Sequence, residues 1–386
     1  MYSIADYGAM IADTPRMTAF VGALRQAVRP GAVVIDLGAG TGIFALLACQ
    51  LGARRVFAIE PDDAIQVARE IAAANGYADR IEFIQGLSTE VTLPEPADVI
   101  VADIGGVLPW FGRHIPSMVD ARRRLLAPGG MLIPRRDTVW ASVLDAPELY
   151  ERFAGPWSAH PFGLDMTAAR RVATNTWNRA RVTGDHLLAA CQPLATIDYA
   201  LVEDADLRAS LRWTVTRGGT AHGLGAGLDR VVGDGARVSN APHADAAVRP
   251  QRIYSPVFFP LTEPVPVRAG DVVAVDLAAR LMGDEYIWTW NTAVLEGGEA
   301  GRRKASFAQS TFLGAPLSRE HLRKRAPGYT PALNEEGQRA RLTLAAMAGG
   351  RSLGEIAAEL QKAFPARFPT WESALGYAGE LSRQYG

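Results

Sequence analysis

The chain has 386 residues, enough for two or three domains, and its 48% apolar and 21% charged content is that of a globular protein. Forty basic residues against 41 acidic ones leave a net charge of −1, which excludes a global basic field for nucleic acid. Two separated cysteines, Cys49 and Cys191, and six dispersed histidines give neither a disulfide framework nor metal-ligand spacing, so no metal is expected.

The opening segment, MYSIADYGAMIADTPRM, lacks the basic-then-apolar layout of a signal peptide, and no apolar run reaches the roughly 18 residues that span a bilayer. A cytoplasmic protein with no membrane partner is therefore expected. Residues 15–28 predict a helix, with Met17, Phe20, Val21, Leu24 and Val28 on one face. After the Pro30-Gly31 break, Val33-Val34-Ile35 reads as a buried strand, and Gly38-Ala39-Gly40-Thr41-Gly42 turns the chain into a helix at 43–51. A strand at 55–59 ends at Glu60, and a helix at 63–75 follows. Strands at 81–85 and 97–102, a helix at 115–126 and a strand at 131–133 after Pro128-Gly129-Gly130 complete the series. Alternating strands and helices predict an α/β, doubly wound parallel sheet. Its ligand crevice lies at the carboxyl ends of the strands, where Gly38–Gly42, Glu60 and Asp103 fall.

Beyond about residue 140 the rhythm becomes β-rich, with runs at 211–215, 255–259, 272–277 and 286–292 separated by turns at Gly218-Gly219, 233–235 and 239–250. This predicts an antiparallel β-barrel-like domain. Helical spacing returns at 336–348, 353–363 and 371–384. The expected divisions are 1–138, 139–300, a linker at 301–334 and a helical domain at 335–386.

A glycine loop between strand and helix lets a ligand approach the main chain and aims amide groups at it. A dinucleotide loop reads GxGxxG, but position 43 is isoleucine, and the order here is GxGxG with Asp36 two residues before it. Glu60, 24 residues after Asp36, suits bidentate binding of ribose hydroxyls. The set of acid, GxGxG, second acid and Pro-Gly-Gly before a strand points to S-adenosyl-L-methionine as cofactor and to a methyltransferase.

The chain then resembles the protein arginine methyltransferases over roughly residues 5–295. GARRVFAIE (52–60) is similar to that family's GARKVxxIE, and GLSTEVTLPEPADVIVADIGG (86–106) to its segment ending DxIxSEWMG. ARRRLLAPGGMLIP (121–134), PFGLDM (161–166), HGLGAGLD (222–229) and YSPVFFPL (254–261) also have family counterparts. The resemblance implies a cofactor domain, a β-barrel and an arm at about 161–185 that forms a homodimer. It implies that Asp36, Gly38, Ala39, Gly40 and Gly42 cradle the methionine end of the cofactor and that Glu60 and Pro61 hold the ribose. Ser88 and Thr89 fall at the adenine, and Tyr7, Met17 and Phe20 on the N-terminal segment that closes over the cofactor.

The family clamps guanidinium with two glutamates in SEWMGYxLxxE. Aligned without a gap, the first is Asp103 and the second is Gly112, while Ile253-Tyr254 replace a His-Trp pair. One carboxylate cannot hold a planar fork from two sides. The expectation is therefore N-methylation of a peptide or small amine or imidazole acceptor in secondary metabolism. Protein arginine methylation and a non-catalytic scaffold or leader-peptide adaptor are the alternatives. Asp103 is the candidate to orient or deprotonate the nucleophile, with His114 a second candidate base. Trp110, Arg113 and Tyr254 are candidates for the substrate pocket, and Phe111, Trp288 and Trp290 are further aromatic residues that either wall it or fill the barrel. The tail around Ser352-Leu353-Gly354-Glu355 is similar to small winged-helix domains that bind leader peptides, without a clear preceding β-hairpin. The basic run 319–325 reads as solvated linker.

Overall fold

A computed structural model describes residues 2–158, 161–245, 247–249 and 253–386. Ala246 and Pro250 of the turn expected at 239–250 lie outside the described residues, as does Met1 of the opening segment. The chain divides into two units, Met1–Pro316 and Leu317–Gly386.

The first unit opens with helix α1 (Ile4–Ile11), started by a Ser3–Asp6 capping box. Helix α2 (Thr14–Ala27) has Asp13 as N-cap and Pro15 in its first turn. Its Phe20 and Leu24 are fully buried, each burial worth about 1.5–3 kcal/mol. There follow β1 (Val33–Leu37), α3 (Ile43–Gln50), β2 (Arg55–Ile59), α4 (Ala64–Ala74), β3 (Ile81–Ile84), β4 (Ala97–Ala102), α5 (His114–Arg124) and β5 (Leu126–Ile133). All five strands are parallel, in the order β3-β2-β1-β4-β5. The strand order reverses between β1 and β4, which opens the crevice between the loops that follow them.

One boundary differs from expectation. Pro128-Gly129-Gly130 does not precede the last strand but lies within it, where the register jumps from Ala97↔Leu126 to Val99↔Met131. Gly129 takes φ 78 there, a bulge conformation open to glycine.

The chain then enters β6 (Arg136–Leu144), α6 (Pro147–Phe153), α7 (Thr167–Thr174), β7 (Asn178–Arg179), β8 (Gln192–Asp198), β9 (Leu207–Thr214), β10 (Gly219–Gly233) and β11 (Ala236–Ser239). Strands β12 (Val257–Val267), β13 (Val272–Met282), β14 (Glu285–Leu295) and β15 (Arg303–Ser310) follow. They make two antiparallel sheets, β7-β12-β10-β6-β8 with β11 on β10, and β15-β14-β13-β9. Trp213, Trp288, Trp290 and Phe259 are buried between them, so Trp288 and Trp290 fill the barrel rather than wall a pocket. Residues 303–310, expected as linker, pair with β14 from Thr289↔Ser310 to Leu295↔Arg303 and so belong to the barrel.

The second unit holds α8 (Arg319–Lys324), α9 (Glu335–Ala348), α10 (Leu353–Ala363) and α11 (Trp371–Tyr385). The basic run expected as plain linker is therefore partly the short helix α8. Ser352 and Glu355 form the expected capping box. Ile356, Leu360, Phe368, Ala374 and Ala378 make a small core. Among the described residues this unit contains no strand, so the likeness to a winged-helix domain stops at its helices.

Candidate active site

The glycine loop after β1 is shaped by a few backbone bonds. Gly40 takes φ 53, and a Cβ there would run into the Tyr7 ring of α1. The Gly40 N–H donates to Glu60 Oε2 at 2.9 Å, and Glu60 Oε1 accepts the Asp62 N–H at 2.9 Å. Asp36 lies beneath the loop, its Oδ2 accepting the Ala45 N–H in the first turn of α3 at 2.8 Å. Burial pushes the Asp36 carboxyl up to about 7, partly offset by that bond.

Above the loop is a cavity of about 540 Å³. Tyr7 and Met10 of α1, Arg16 of α2, Gly38, Ala39, Thr41 and Phe44 from the loop and α3, Glu60, Pro61 and Asp62 after β2, Asp103 and Ile104 after β4, and Tyr254 before β12 are among its lining residues. One cation, the carboxylates of Glu60, Asp62 and Asp103, and aromatic walls suit a ligand that carries a carboxylate, vicinal hydroxyls and a flat base. S-adenosylmethionine is such a molecule. Arg16 would take its carboxylate and Glu60 its ribose hydroxyls.

Asp103 is the most heavily bonded group in the wall. Its Oδ2 accepts from Arg16 Nε at 2.8 Å, lies 2.7 Å from Arg16 Nη2, and also accepts the Tyr254 hydroxyl. Its Oδ1 accepts from Arg230 Nη1 at 2.8 Å. Burial alone would raise the Asp103 carboxyl, but Arg16 and Arg230 outweigh it and hold the group below its ordinary value. It is thus a fixed anion and a poor proton acceptor. Arg230 is held in turn by Asp137, through Nε to Oδ1 at 2.9 Å and Nη2 to Oδ2 at 2.7 Å. Asp137 Oδ2 also accepts from Tyr199 at 2.6 Å, and the Tyr199 oxygen lies 2.8 Å from His114 Nε2. Tyr254 sits at φ 58, a left-handed conformation that disfavours a tyrosine by about 1–2 kcal/mol.

The structure sorts the residues expected from sequence. Tyr7, Gly38, Ala39, Glu60, Pro61, Asp103 and Tyr254 line the cavity; Asp36, Gly40 and Gly42 are not among its lining residues, and Asp36 and Gly40 instead bond the Ala45 N–H and the Glu60 carboxylate that fix the loop. Met17 lies outside the cavity wall, its sulfur accepting from Arg16 Nη1 at 3.1 Å. Phe20 packs in the core, stacked on Phe44. Ser88 and Thr89 do not line the cavity; the Ser88 carbonyl accepts from Arg124 and Thr89 is exposed.

Three substrate-side expectations need correction. His114 does not reach the cavity. It is buried beside Tyr199, and burial reinforced by Arg230 lowers its imidazole to about 4, so it is a structural ring rather than a base at the reacting atom. Trp110 is buried edge-on against Trp288. Arg113 faces outward and pairs with Asp284 at 3.3 Å. Phe111, in contrast, lines the cavity. Gly112 takes φ 49, so this position lacks the second acid and has a backbone that disfavours one.

Sequence reasoning missed Arg16, Arg230, Asp137 and Tyr199. Arg16 left a signal, an arginine one turn before Phe20 on the apolar face of its helix. Arg230 and Asp137 left none that a local pattern could show, since they meet as register partners 93 residues apart.

Residues 14–137 match the family model for ribosomal protein L11 methyltransferase. The chain is 30% identical over 276 residues to an arginine N(omega)-methyltransferase of Streptomyces achromogenes subsp. streptozoticus, covering 70% of this chain and 74% of that protein. The chain belongs to the arginine N-methyltransferase family.

It is a class I S-adenosylmethionine-dependent methyltransferase, and S-adenosylmethionine is the cofactor of the family. It is also 29% identical over 204 residues to a probable protein arginine N-methyltransferase 6 of Arabidopsis thaliana. That match spans 51% of this chain and 47% of the relative, so the chain covers about half of that protein. Two solved structures share the fold. The Trypanosoma brucei PRMT1 enzyme-prozyme complex has a TM-score of 0.69 at 20% identity, covering 80% of this chain and 98% of that one. Arabidopsis thaliana protein arginine methyltransferase 10 has a TM-score of 0.67 at 19% identity, covering 80% and 97%.

Proposed function

We propose that this methyltransferase methylates a nitrogen of a peptide or small-molecule acceptor, with Asp103 orienting the nucleophile. The observation that carries this reading is that Asp103 and the glycine loop wall the same cavity. When bound, the cofactor supplies an electrophilic methyl group on a sulfonium. The protein has to hold an acceptor nitrogen in line with that group, exclude water, and accept a hydrogen bond from the nucleophile. Tyr7 and Met10 of α1 line the same cavity as the loop. Asp103, kept ionised by two arginines, acts by position and charge rather than by taking the proton. Asp103→Asn is expected to lower turnover about 100-fold, the scale of a lost orienting contact, with affinity for the demethylated cofactor changed less than a few fold. Full turnover in that variant would refute the role.

A second reading, methylation of arginine itself, draws on the Streptomyces relative, whose name is arginine N(omega)-methyltransferase. Methyl-labelled cofactor offered with arginine, histidine, amines and peptides, with the product sites read by mass spectrometry, separates the two. Label on hydroxyls or carboxylates alone would refute both.

The arm at 161–185 is the proposed site of homodimer formation. Phe162 is 99% exposed at φ 57, and Leu164 beside it is also exposed, an arrangement that favours a covered state.

A further inference from the structure

We propose that Tyr254 is the residue that touches the acceptor: its phenol oxygen takes an N–H of the nitrogen to be methylated, and Asp103 orients that nitrogen through Tyr254. The inference rests on the nitrogen-acceptor reading above and deepens it.

Asp103 itself has no oxygen to offer. Its Oδ2 takes Arg16 Nε at 2.8 Å, Arg16 Nη2 at 2.7 Å and the Tyr254 hydroxyl, and its Oδ1 takes Arg230 Nη1 at 2.8 Å. Of these three partners, Arg16 and Tyr254 line the cavity with Asp103, and Arg230 does not. Arg16 has only N–H donors, so it suits the cofactor's carboxylate and gives an acceptor N–H nothing to bond. Glu60 and Asp62, the other carboxylates in the wall, follow β2, and Glu60 is tied to the glycine loop through the Gly40 N–H. They belong to the cofactor's side.

Tyr254 comes from the opposite side. Every other lining residue lies between Tyr2 and Phe111, in the parallel-sheet domain and the helices before it. Among the described residues, Tyr254 is thus the barrel domain's one contribution to the wall. It is held there against a cost, since φ 58 is a left-handed conformation for a residue with a side chain. Such strain persists where the surroundings fix it, and it concentrates at functional sites. Here the hydroxyl is fixed on Asp103, and the Arg230 guanidinium carbon lies 5.9 Å from the ring centroid.

A hydroxyl has one hydrogen to donate and two lone pairs to offer. The Tyr254 hydrogen goes to Asp103, Arg16 bonds the same oxygen, and one lone pair is left. Donation to an anion polarises the O–H and makes its oxygen a better acceptor. Burial and then Asp103 push the phenol far above its ordinary value, so it stays a neutral hydroxyl. Tyr254 therefore holds the N–H without taking the proton, and the nitrogen lone pair is left to form the new N–CH₃ bond. The electrons of the broken S–CH₃ bond remain on sulfur, and the N–H proton leaves to solvent with the product. A nitrogen without an N–H finds no partner at Tyr254.

The test is a double-mutant cycle on Tyr254→Phe and Asp103→Asn, with methyl-labelled S-adenosylmethionine and with arginine, histidine and lysine offered as acceptors. Tyr254→Phe keeps the ring, and calorimetric binding of the demethylated cofactor reports that the variant is folded. Its turnover should fall at least about tenfold, the scale of a lost hydrogen bond in a charged network, with that cofactor affinity changed less than about threefold. The double variant should be at most about threefold slower than Asp103→Asn alone, because both changes remove one contact. Wild-type turnover in Tyr254→Phe beside a slow Asp103→Asn would overturn the inference and leave the role of Asp103 standing. Effects that multiply in the double variant would do the same, and full turnover in Asp103→Asn would overturn both. If the wild-type chain labels none of the three acceptors, calorimetry decides with a cofactor analogue that carries an amino group in place of the sulfonium methyl. Its N–H groups stand where the acceptor's would. Tyr254→Phe should lower its affinity relative to the demethylated cofactor about tenfold or more, and an unchanged ratio overturns the inference.

Discussion

Arg16 shows how a single side chain can join two halves of a site. It leaves the first turn of α2 over the Phe20 and Phe44 rings, at 5.3 and 5.2 Å from their centroids, and arrives at Asp103. Lining the cavity, it is the group placed to meet a ligand carboxylate. Arg16→Leu is expected to weaken binding of the demethylated cofactor about tenfold or more, as befits one charged hydrogen bond of about 1.5–3 kcal/mol, measured by calorimetry. Asp36 offers a test of sign. Its carboxyl titrates near 7 in the folded chain, against about 3.9 when unfolded, so the folded state binds the proton more tightly. The charged form is penalised by burial, and this group's effect on stability grows less favourable from about pH 4 to about pH 7, then levels off. Asp36→Asn removes that titration. The stability of the variant relative to wild type, measured by urea unfolding, should rise between pH 5 and pH 8. A flat difference would refute the shift.

At the scale of elements, the glycine loop and α1 act as one construction. Gly40 places its N–H on Glu60 and yields its Cβ space to Tyr7, so a side chain there opposes both α1 and the left-handed backbone. Gly40→Val is expected to abolish measurable cofactor binding while leaving the far-UV circular dichroism unchanged, and retained binding would show that α1 yields. Tyr7 belongs to the same construction, since burial and then Glu60 push its phenol up to about 12 and keep it a neutral hydroxyl. Strand β10 shows the limit of local propensity. Glycine at 219, 223, 225, 227 and 233 argues for a loop by composition. It is nonetheless a central strand, because a Cβ at Gly227 would come within 2.6 Å of the Asn240 carbonyl, and Gly233 likewise makes room for Ala23 of α2. Close approach of neighbouring chains, rather than backbone freedom, explains these glycines.

For the whole molecule, the exposed Phe162 arm leads to a statement about assembly. Sedimentation velocity should give a dimer for the wild-type chain and a monomer for Phe162→Asp, since a buried carboxylate in an apolar contact costs far more than it returns. A wild-type monomer at micromolar concentration would refute the arm's role. No helix of the described residues is long and apolar enough to cross a membrane. What the sequence determined by itself follows from short-range physics. The period of apolar residues set the helices and strands of the sheet, and the GxGxG loop with Glu60 marked the cofactor crevice. That position 112 is glycine, where the resemblance leads one to expect an acid, was also read from residue identity alone. The tertiary structure alone decided which charges meet. Asp103 read as one carboxylate awaiting an acceptor, but it is held by Arg16 from 87 residues away and by Arg230 from 127. His114 read as a candidate base, and it is turned instead toward Tyr199 in the core. The physical reason is common to both. An ion pair or a buried ring is a property of strands and helices brought together by packing, and its partners need no fixed separation along the chain.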